Sequence, residues 1–565
     1  MRTRQLIECV PNFSEGRDKK IIKSITDAIE SVEGIRLLDV DPGQATNRTV
    51  VTFVGEPEAV MEAAFRGVKR AAELIDMSKH HGAHPRMGAT DVLPLIPVEG
   101  ITLEECAELA RRLGQRIADE LGIPVYNYEA AASSPKRKNL AVVRRGEYEG
   151  LSERLADETE GPDFGPREFT AAVSRTGATA VGARDFLIAV NFNLNTTSTR
   201  RANAIAFDVR EKGRPKREGG KPNGRPLTDA DGRVIMLPGT LKGTKAIGWF
   251  IDEYGIAQVS MNITDISATP LHTAFEEVCR AADRRGIRVT GTEIVGLVPK
   301  RTLLAAGRHF LHRQQRSTGL PDDEIIRIAI KTMGLDELSP FRPEEKVIEY
   351  MIADKERSSL TDLTSRRFAE LTASEAPAPG GGSVSAYMGA LAAALGTMVA
   401  NLSAHKAGWD ERWEEFSNYA DGGQILMEHL LELVDEDTAA FNDIMAAFQM
   451  PRTTDEEQQA RAQAIEAATL KATQVPLRTM EAALDAFPLL EAMVREGNPA
   501  SISDAGVGAL AARAAVLGAE LNVRINAAQL ADRDQADRLT RKAAEIADAA
   551  MAAEREILQL INQKI

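Results

Sequence analysis

The sequence predicts two consecutive α/β subdomains followed by an all-α helix bundle. Three observations indicate this fold class. The 565 residues exceed what one hydrophobic core holds, so several domains or subdomains are required. Short β-branched runs alternate with amphipathic stretches up to about residue 350. After Asp354 the strand signals stop, and Ala, Leu, Glu and Arg continue with helical spacing to the last residue.

The α/β part contains segments whose composition is typical of strands and of helices. The predicted strands are residues 5–10, 36–40, 49–54, 186–192, 248–251, 257–263 and 288–295. The predicted helices, with apolar residues every three or four positions, are 18–32, 57–75, 102–121 and 271–286. A Gly- and Thr-rich passage, 177–184, separates two such series. We therefore expect α/β subdomains at 1–184 and 185–353, a linker at 354–361 and the bundle at 362–565.

Composition and charge exclude several classes of protein. The chain has 27% charged and 43% hydrophobic residues, which is ordinary for a globular protein. A net charge of −14 opposes nonspecific nucleic-acid binding, which requires an excess of Lys and Arg. Cys9, Cys106 and Cys279 are far apart, so neither a disulfide framework nor a thiolate metal cluster is expected.

The sequence also predicts where in the cell the protein is located. Its first residues lack the apolar core of a signal peptide. Residues 386–402 approach the length of a membrane span, but they are mostly Ala and Gly and include Asn401. We interpret this segment as a buried bundle helix and expect a cytoplasmic protein with no membrane span.

Residues 79–91 are the first candidate site. This loop contains three of the eight histidines, His80, His81 and His84, beside Arg86 and Asp91. Histidine can accept and return a proton near neutral pH, while an arginine can hold an anion and an aspartate can orient an imidazole ring. The pattern therefore favours acid–base chemistry.

Two other interpretations of this loop remain open. His80 and His84 have the i, i+4 spacing of helical zinc ligands. Gly82 between them and Pro85 after them disfavour the helix that such a site needs, so no metal is expected. The remaining alternative is a loop with a purely structural role.

A carboxylate interrupts an apolar stripe in the predicted bundle. Residues at intervals of three or four that would face one side of a helix are Met427, Leu430, Val434, Asp437, Phe441, Ile444 and Phe448. A buried carboxylate needs a donor or a cation, for which Arg513 and Arg524 are candidates, or its pKa rises. A structural ion pair and a catalytic acid are both compatible with this spacing.

Three further segments have weaker signals. Residues 379–383 form a glycine-rich entry to a helix that Ser383 could cap, where backbone N–H groups can receive an anion. At the entry to another helix, Ser503 or Asp504 would be functional only if close to Asp437. The basic stretch 212–225 is either a solvated hairpin loop or a counter-charge for a polyanionic ligand.

These motifs together resemble the formimidoyltransferase-cyclodeaminase family over nearly the whole chain. The motifs that carry the resemblance are residues 8–16, 38–41, 46–49, 84–89, 293–299, 378–384 and 434–437. The resemblance implies two ferredoxin-like-related α+β subdomains before the helical domain, and a homo-oligomer of at least two copies. The chain departs from the animal members at 212–238, which is longer here.

The resemblance implies two reactions of histidine degradation. The first domain would transfer the formimino group of N-formimino-L-glutamate to tetrahydrofolate and release glutamate. The second would cyclise 5-formiminotetrahydrofolate to 5,10-methenyltetrahydrofolate and release ammonia. Tetrahydrofolate, in a polyglutamylated form, is then the co-substrate, and no metal takes part.

The resemblance also implies roles for individual residues. In the first domain, His84 would be the acid–base catalyst, Asp41 a supporting carboxylate, and Arg48 or Arg86 the partner of substrate carboxylates. The folate-binding stretch there would include Asp163, Gly165 and Pro166.

In the second domain, Asp437 would be the catalytic acid, because ammonia leaves well only when protonated. The residues that would lie near the folate are Gly380, Gly381, Gly382 and Ser383. Two alternatives remain: transfer from, or processing of, a formyl or acyl folate such as 5-formyltetrahydrofolate, and a non-catalytic folate-binding scaffold.

Overall fold

The computed structural model describes residues 5–44, 46–82, 85–221, 223–352 and 359–565. The chain divides into two compact units. The first comprises Met1–Leu303 and Met333–Ala353, and the second comprises Leu304–Thr332 and Asp354–Ile565. The sequence prediction placed residues 304–332 in the second α/β subdomain, whereas in the structure they pack with the helical unit.

The secondary-structure elements are numbered in chain order. The strands are β1 (Leu6–Cys9), β2 (Asn12–Phe13), β3 (Arg36–Gly43), β4 (Arg48–Gly55), β5 (Thr90–Glu99), β6 (Val125–Glu129), β7 (Thr179–Ala183), β8 (Ile188–Leu194), β9 (Arg214–Pro215), β10 (Met236–Leu237), β11 (Thr244–Ile251), β12 (Ile256–Ile263) and β13 (Val289–Val295). The helices are α1 (Lys19–Glu30), α2 (Pro57–Leu74), α3 (Leu103–Leu121), α4 (Leu140–Val143), α5 (Leu151–Ala156), α6 (Ala171–Thr176), α7 (Thr199–Val209), α8 (Leu271–Asp283), α9 (Lys300–Arg313), α10 (Asp322–Met333), α11 (Pro343–Lys346), α12 (Ile348–Ile352), α13 (Ser365–Thr372), α14 (Gly381–Ala404), α15 (Trp413–Gln449), α16 (Asp455–Leu484), α17 (Ala486–Glu496), α18 (Ile502–Ala527) and α19 (Arg533–Lys564). Short 3-10 helices occur at Met77–Lys79, Pro135–Lys138, Glu218–Gly220, Leu360–Asp362, Asp410–Arg412 and Pro499–Ser501.

The first unit repeats one topology twice. In the first sheet, β1 and β2 together form one strand position between β4 and β5, and β3 pairs with the other edge of β4. The second sheet has the order β11-β12-β8-β13 and is antiparallel throughout. Each is a βαββαβ arrangement of ferredoxin-like type, with α1 and α2 or α7 and α8 as the helices. The predicted ferredoxin-like-related fold class is therefore confirmed.

The first sheet extends beyond this repeat through strands that the sequence prediction missed. β7 pairs in parallel with both β5 and β6. β7 lies within the passage 177–184, which was interpreted as a connection, and all of its residues are buried. Its small side chains give no clear strand signal in the sequence. At Gly182 only glycine fits, because a Cβ there would lie 2.5 Å from the Tyr128 carbonyl oxygen.

The helical unit is built around α14, which packs against α15 and α18 in a core rich in alanine. The predicted apolar stripe of α15 is only partly correct. Leu430 and Val434 are buried, but Phe441 and Phe448 are 38% and 48% exposed. The reason is the length of α14: it begins beside Asp437, so the later turns of α15 extend past it.

Three consecutive acids of α15 each bind a different element. Asp435 accepts hydrogen bonds from the Ser359 hydroxyl and, at 2.8 Å, from the Leu360 N–H. Glu436 pairs with Arg478 of α16. Asp437 accepts a hydrogen bond of 2.8 Å from Ser383 of α14. This segment of α15 therefore joins the 3-10 helix Leu360–Asp362, α16 and α14.

The loop between α9 and α10 packs on the same helices. The Thr318 N–H donates to Ser417 Oγ at 3.0 Å, and its hydroxyl donates to Asp421 at 2.7 Å. Asn401 of α14 donates to the Gly319 carbonyl oxygen at 2.8 Å. These contacts explain why residues 304–332 belong to the helical unit.

Two helical segments, Gly381–Ala404 and Pro499–Ala527, are long and apolar enough to cross a membrane by length and composition. Within this unit, 61% and 44% of their most apolar windows are buried. Core helices of helical proteins pass the same test, so the finding is weak evidence for a membrane span.

Adjacent glycines of α15 provide a test of this packing. A Cβ at Gly423 would collide with Thr397 Oγ1 and lie 2.8 Å from a Leu489 methyl group, whereas a Cβ at Gly422 meets nothing within 4 Å. We expect Gly423→Ala to destabilise the helical unit by about 1–3 kcal/mol through overpacking. The matched Gly422→Ala change should stabilise it by up to about 1 kcal/mol through helix propensity. Urea unfolding followed by circular dichroism measures both, and equal shifts in the same direction would contradict the packing.

Candidate functional site

The first candidate site is the histidine loop of the first unit. His84, the predicted acid–base residue, lies outside the residues that the structure describes. The flanking residues 80–82 and 85–91 are described, and they define the surroundings of the loop.

His80 is held by both of its ring nitrogens. Nε2 lies 2.9 Å from the Asn47 carbonyl oxygen, and Nδ1 accepts a hydrogen bond of 3.4 Å from Arg86 Nε. This pattern assigns the proton to Nε2 and leaves the ring neutral. Burial also lowers the pKa of His80. His80 therefore has a structural role, and its ring is not available as a metal ligand.

Arg86 is buried and paired with two carboxylates. Its two terminal nitrogens donate to Glu149 at 2.7 and 2.8 Å, and Nη1 lies 3.3 Å from Glu147. The hydrogen bond to Glu149 raises the pKa of Arg86, and the same bond lowers the pKa of Glu149. A substrate carboxylate would reach this guanidinium only by displacing these glutamates.

A cavity of about 430 Å³ opens beside this ion pair. Its lining residues are His81, Gly82, Arg86, Gly146, Glu147 and Glu149. The volume lies within the range typical of small-molecule sites. Among the described histidines of the loop, it is His81 rather than His80 that faces this cavity.

A second charged group lies deeper, around Asp91. Asp91 is 1% exposed and accepts hydrogen bonds from the Met87 N–H at 3.0 Å and from Arg144 at 2.5 Å. Burial raises the pKa of Asp91, which Arg144 partly offsets. Asp91 therefore binds an arginine, and its role in orienting a histidine ring stays a prediction, because His84 lies outside the described residues.

Arg48 and Asp41 belong to neighbouring strands of the first sheet. Burial lowers the pKa of Arg48, whereas the charges of Asp91 and Asp41 favour its protonated form. Asp41 lies on β3, opposite Val50 of β4, and its side chain is exposed. Two of the carboxylates that the sequence predicts for this site therefore act electrostatically on Arg48.

The predicted folate stretch is fixed to β6. Asp163 accepts hydrogen bonds from the Asn127 N–H at 2.7 Å and contacts Arg137 at 2.6 Å. Gly165 has a φ of +89°, and a Cβ there would lie 2.7 Å from the Ile123 carbonyl oxygen. Pro166 is half-buried. Asp163 and Gly165 therefore have clear structural reasons to be present.

The second candidate site is centred on Asp437 of the helical unit. Ser383 donates to this carboxylate through its hydroxyl at 2.8 Å and through its backbone N–H. Burial raises the pKa of Asp437, and the two Ser383 donors partly offset that shift. In the part of the chain that the structure describes, no ion pair joins Asp437 to Arg513 or Arg524.

The glycine turn is in contact with this carboxylate. A Cβ at Gly382 would collide with Asp437 Oδ1 and lie 2.6 Å from Oδ2. Gly381 faces Asn522 of α18, at 3.5 Å from the position of a Cβ to the amide nitrogen. At Gly380, by contrast, a Cβ would meet nothing within 4 Å. The turn thus presents backbone rather than side chains around Asp437.

Ser503 and Asp504 lie far from Asp437. Asn522, near the other end of α18, is the residue that faces the glycine turn. Nineteen residues separate Ser503 from Asn522, which is about 28 Å along a helix. Both lie within the first turn of α18, whose N-cap is Ser501.

Sequence reasoning missed Glu147, Glu149 and Arg144. All three lie in the segment 144–149, where two arginines precede two glutamates. That local charge pattern was the only signal in the sequence. The fold then places these side chains against Arg86 and Asp91, which the sequence alone does not show.

Family models match three successive parts of the chain. Residues 6–184 match the N-terminal subdomain of the formiminotransferase domain, 189–353 match the formiminotransferase domain, and 364–545 match formiminotransferase-cyclodeaminase.

Individual relatives cover the whole chain or one part of it. The formimidoyltransferase-cyclodeaminase of Mus musculus is 42% identical over 529 residues, 94% of this chain and 93% of its own length. The glutamate formimidoyltransferase of Thermoplasma acidophilum is 42% identical over 54% of this chain and 92% of its own length. The methenyltetrahydrofolate cyclohydrolase of Methylorubrum extorquens is 35% identical over 36% of this chain and 97% of its own length. From the mouse relative, which matches almost end to end, we conclude that the chain belongs to the formimidoyltransferase-cyclodeaminase family.

Proposed function

We propose that the chain is a bifunctional folate enzyme. It transfers the formimino group of N-formimino-L-glutamate to tetrahydrofolate and then cyclises 5-formiminotetrahydrofolate to 5,10-methenyltetrahydrofolate with release of ammonia. The observation that carries the proposal is the match to a bifunctional relative over 94% of the chain. The half-buried Asp437, which α15 holds against the glycine turn of the second unit, supports it as well.

In the transfer reaction, nitrogen-5 of tetrahydrofolate attacks the formimino carbon and loses a proton, while the departing glutamate nitrogen gains one. We assign this proton exchange to His84 on the resemblance alone, with Asp41 in support. Arg48 and Arg86 are the cations for substrate carboxylates. The exchange needs no metal, and both ring nitrogens of His80 are already engaged by the protein.

In the cyclisation, nitrogen-10 attacks the same carbon and loses its proton, while the former imino nitrogen gains protons and leaves as ammonia. That nitrogen must be protonated before its bond to carbon breaks, so the site needs a group that holds a proton near neutral pH. Burial raises the pKa of Asp437 and thereby favours its protonated form. Gly382 and Ser383 hold that carboxyl at the start of α14, and the turn with Gly380 and Gly381 provides the surface for the folate.

The proposal includes a cytosolic location, a place in histidine degradation and a polyglutamylated folate. Three cysteines without a disulfide are consistent with a reducing compartment. The basic stretch 212–225 is suited to the anionic tail of such a folate.

We also propose that the chain forms homo-oligomers through the helical unit. Neighbouring helices α14 and α18 each expose an apolar stripe, formed by Leu391, Met398, Leu402, Val507, Leu510, Leu521 and Ile525. A Cβ at Gly508 would lie 3.5 Å from the Leu395 side chain, so the two stripes adjoin. An apolar face of this kind is unusual on a monomer, and a second copy of the same face would cover it.

Two substitutions should separate the reactions. We expect His84→Ala to abolish transfer but spare cyclisation of supplied 5-formiminotetrahydrofolate. Asp437→Asn should lower cyclisation by about 100-fold or more and spare transfer, because it removes a positioned proton donor. Assays of glutamate release and of methenyltetrahydrofolate absorbance measure the two steps, with Asp443→Asn as the control on the exposed side of α15. Loss of both activities in either variant would refute two separate sites.

The glycine turn provides a second test. Gly382→Ala places a methyl group against Asp437, so cyclisation should fall by at least tenfold, while the transfer rate stays unchanged. Gly380→Ala is the matched control, because its methyl group meets nothing within 4 Å. If both variants cyclise at the wild-type rate, Asp437 does not act from this position.

The apolar face predicts the effect of a charge on assembly. Leu510→Glu should reduce the mass measured by light scattering, because a carboxylate cannot be buried in a symmetric contact without a partner. Ile425→Glu, at a 72% exposed position on α15, is the control and should keep the wild-type mass. An unchanged mass for Leu510→Glu would place the subunit contact elsewhere.

A further inference from the structure

One face of the second sheet is polar where a core face would be apolar. Asn191 and Asn193 of β8 alternate with buried apolar residues that point to the opposite face. Across the sheet, Gln258 of β12 lies opposite Asn193, and Glu293 of β13 lies opposite Asn191. Asn193 and Gln258 are 0% exposed, so their amides are removed from water.

Hydrogen bonds join these side chains into one network. Trp249 Nε1 donates to Gln258 Oε1 at 3.0 Å, and Gln258 Nε2 donates to Asn193 Oδ1 at 2.8 Å. Asn191 Nδ2 donates to Glu293 Oε2 at 2.9 Å, and Gln258 Nε2 reaches the same oxygen at 3.4 Å. Asn193 Nδ2 donates to a second carboxylate, that of Glu337. The network therefore holds two carboxylates, of which Asn191 and Gln258 fix Glu293.

The Tyr254 hydroxyl also contacts this carboxylate. The charge of Glu293 raises the pKa of Tyr254, and a hydrogen bond between the two groups contributes to that shift.

Large apolar side chains surround the polar centre. Ile247 and Trp249 of β11 are 51% and 38% exposed, Val295 of β13 is 45% exposed, and Tyr254 is 37% exposed. Exposed apolar walls around a few fixed polar groups are typical of a small-molecule site.

We infer that this face binds a flat, nitrogen-rich group of the substrates, with Glu293 as its anchor. The inference rests on the proposed function, because both proposed substrates contain such a group. A carboxylate pairs best with two parallel N–H donors on one planar fragment. The aminopyrimidine edge of the pteridine has this pattern, and so does the formamidine of N-formimino-L-glutamate. Trp249 and Tyr254 provide aromatic surface against which the flat group packs.

The role of Glu293 is binding and positioning, so the test is an affinity. Calorimetric titration of the full chain with tetrahydrofolate, and separately with N-formimino-L-glutamate, gives a Kd for each. Glu293→Gln keeps the size of the side chain but replaces an acceptor oxygen by an N–H donor. We expect it to raise one Kd by about tenfold or more, the usual effect of losing a charged hydrogen bond. Glu253→Gln, an exposed carboxylate in the β11–β12 turn, should leave both Kd values unchanged.

The outcomes are distinguishable. A weaker Kd for tetrahydrofolate identifies the pteridine as the occupant, and a weaker Kd for N-formimino-L-glutamate identifies the formamidine. Unchanged values for both ligands would overturn the inference but leave the proposed function intact. If the wild-type chain binds neither ligand, both proposals fail. Should Glu293→Gln not fold, Tyr254→Phe removes one donor to the carboxylate at an exposed position, and an unchanged affinity in that variant would overturn the inference.

Discussion

The contact between the Asp437 carboxyl and the glycine turn at the start of α14 is the constraint on which the helical unit depends. No side chain fits at Gly382, because its Cβ would occupy the space of the carboxylate. Ser383 supplies two hydrogen bonds at the same point. Burial favours the protonated acid and these donors favour the charged one. The net shift of the Asp437 pKa is upward, and the neighbouring acids of α15 hold that helix in place.

The first unit places two charged side chains of the histidine loop away from solvent. It buries Arg86 and Asp91 within one loop, and each is neutralised by residues of the segment 144–149. Of these pairs, Arg144–Asp91 is largely buried on both sides, whereas Glu147 and Glu149 are 41% and 64% exposed where they meet the buried Arg86. Removing the glutamates from Arg86 would expose a cation beside the cavity. Binding of an anionic substrate is then an exchange of carboxylates rather than the burial of a new charge.

Much of the fold could be predicted from the sequence, because periodicity reports which face of an element is buried. Periodicity did not predict the strands that consist of small residues or contain proline. β7 is built from Thr, Ala, Val and Gly, and β5 contains two prolines. Among the site residues, Asp437 could be predicted from the sequence because a charge interrupted an apolar stripe. Glu149 was not visible, because it meets Arg86 across 63 residues of chain. The polar face around Glu293 could not be predicted for the same reason, since its members come from four separate strands.

The most direct test of this account is the pH dependence of single-turnover cyclisation in the wild-type chain and in Ser383→Ala. If protonated Asp437 delivers the proton, the rate falls as pH rises through its raised pKa. Ser383→Ala removes a donor that lowers this pKa, so the pKa rises further and the fall moves to higher pH. A fall that stays at the wild-type pH, or moves to lower pH, would contradict the role assigned to Asp437.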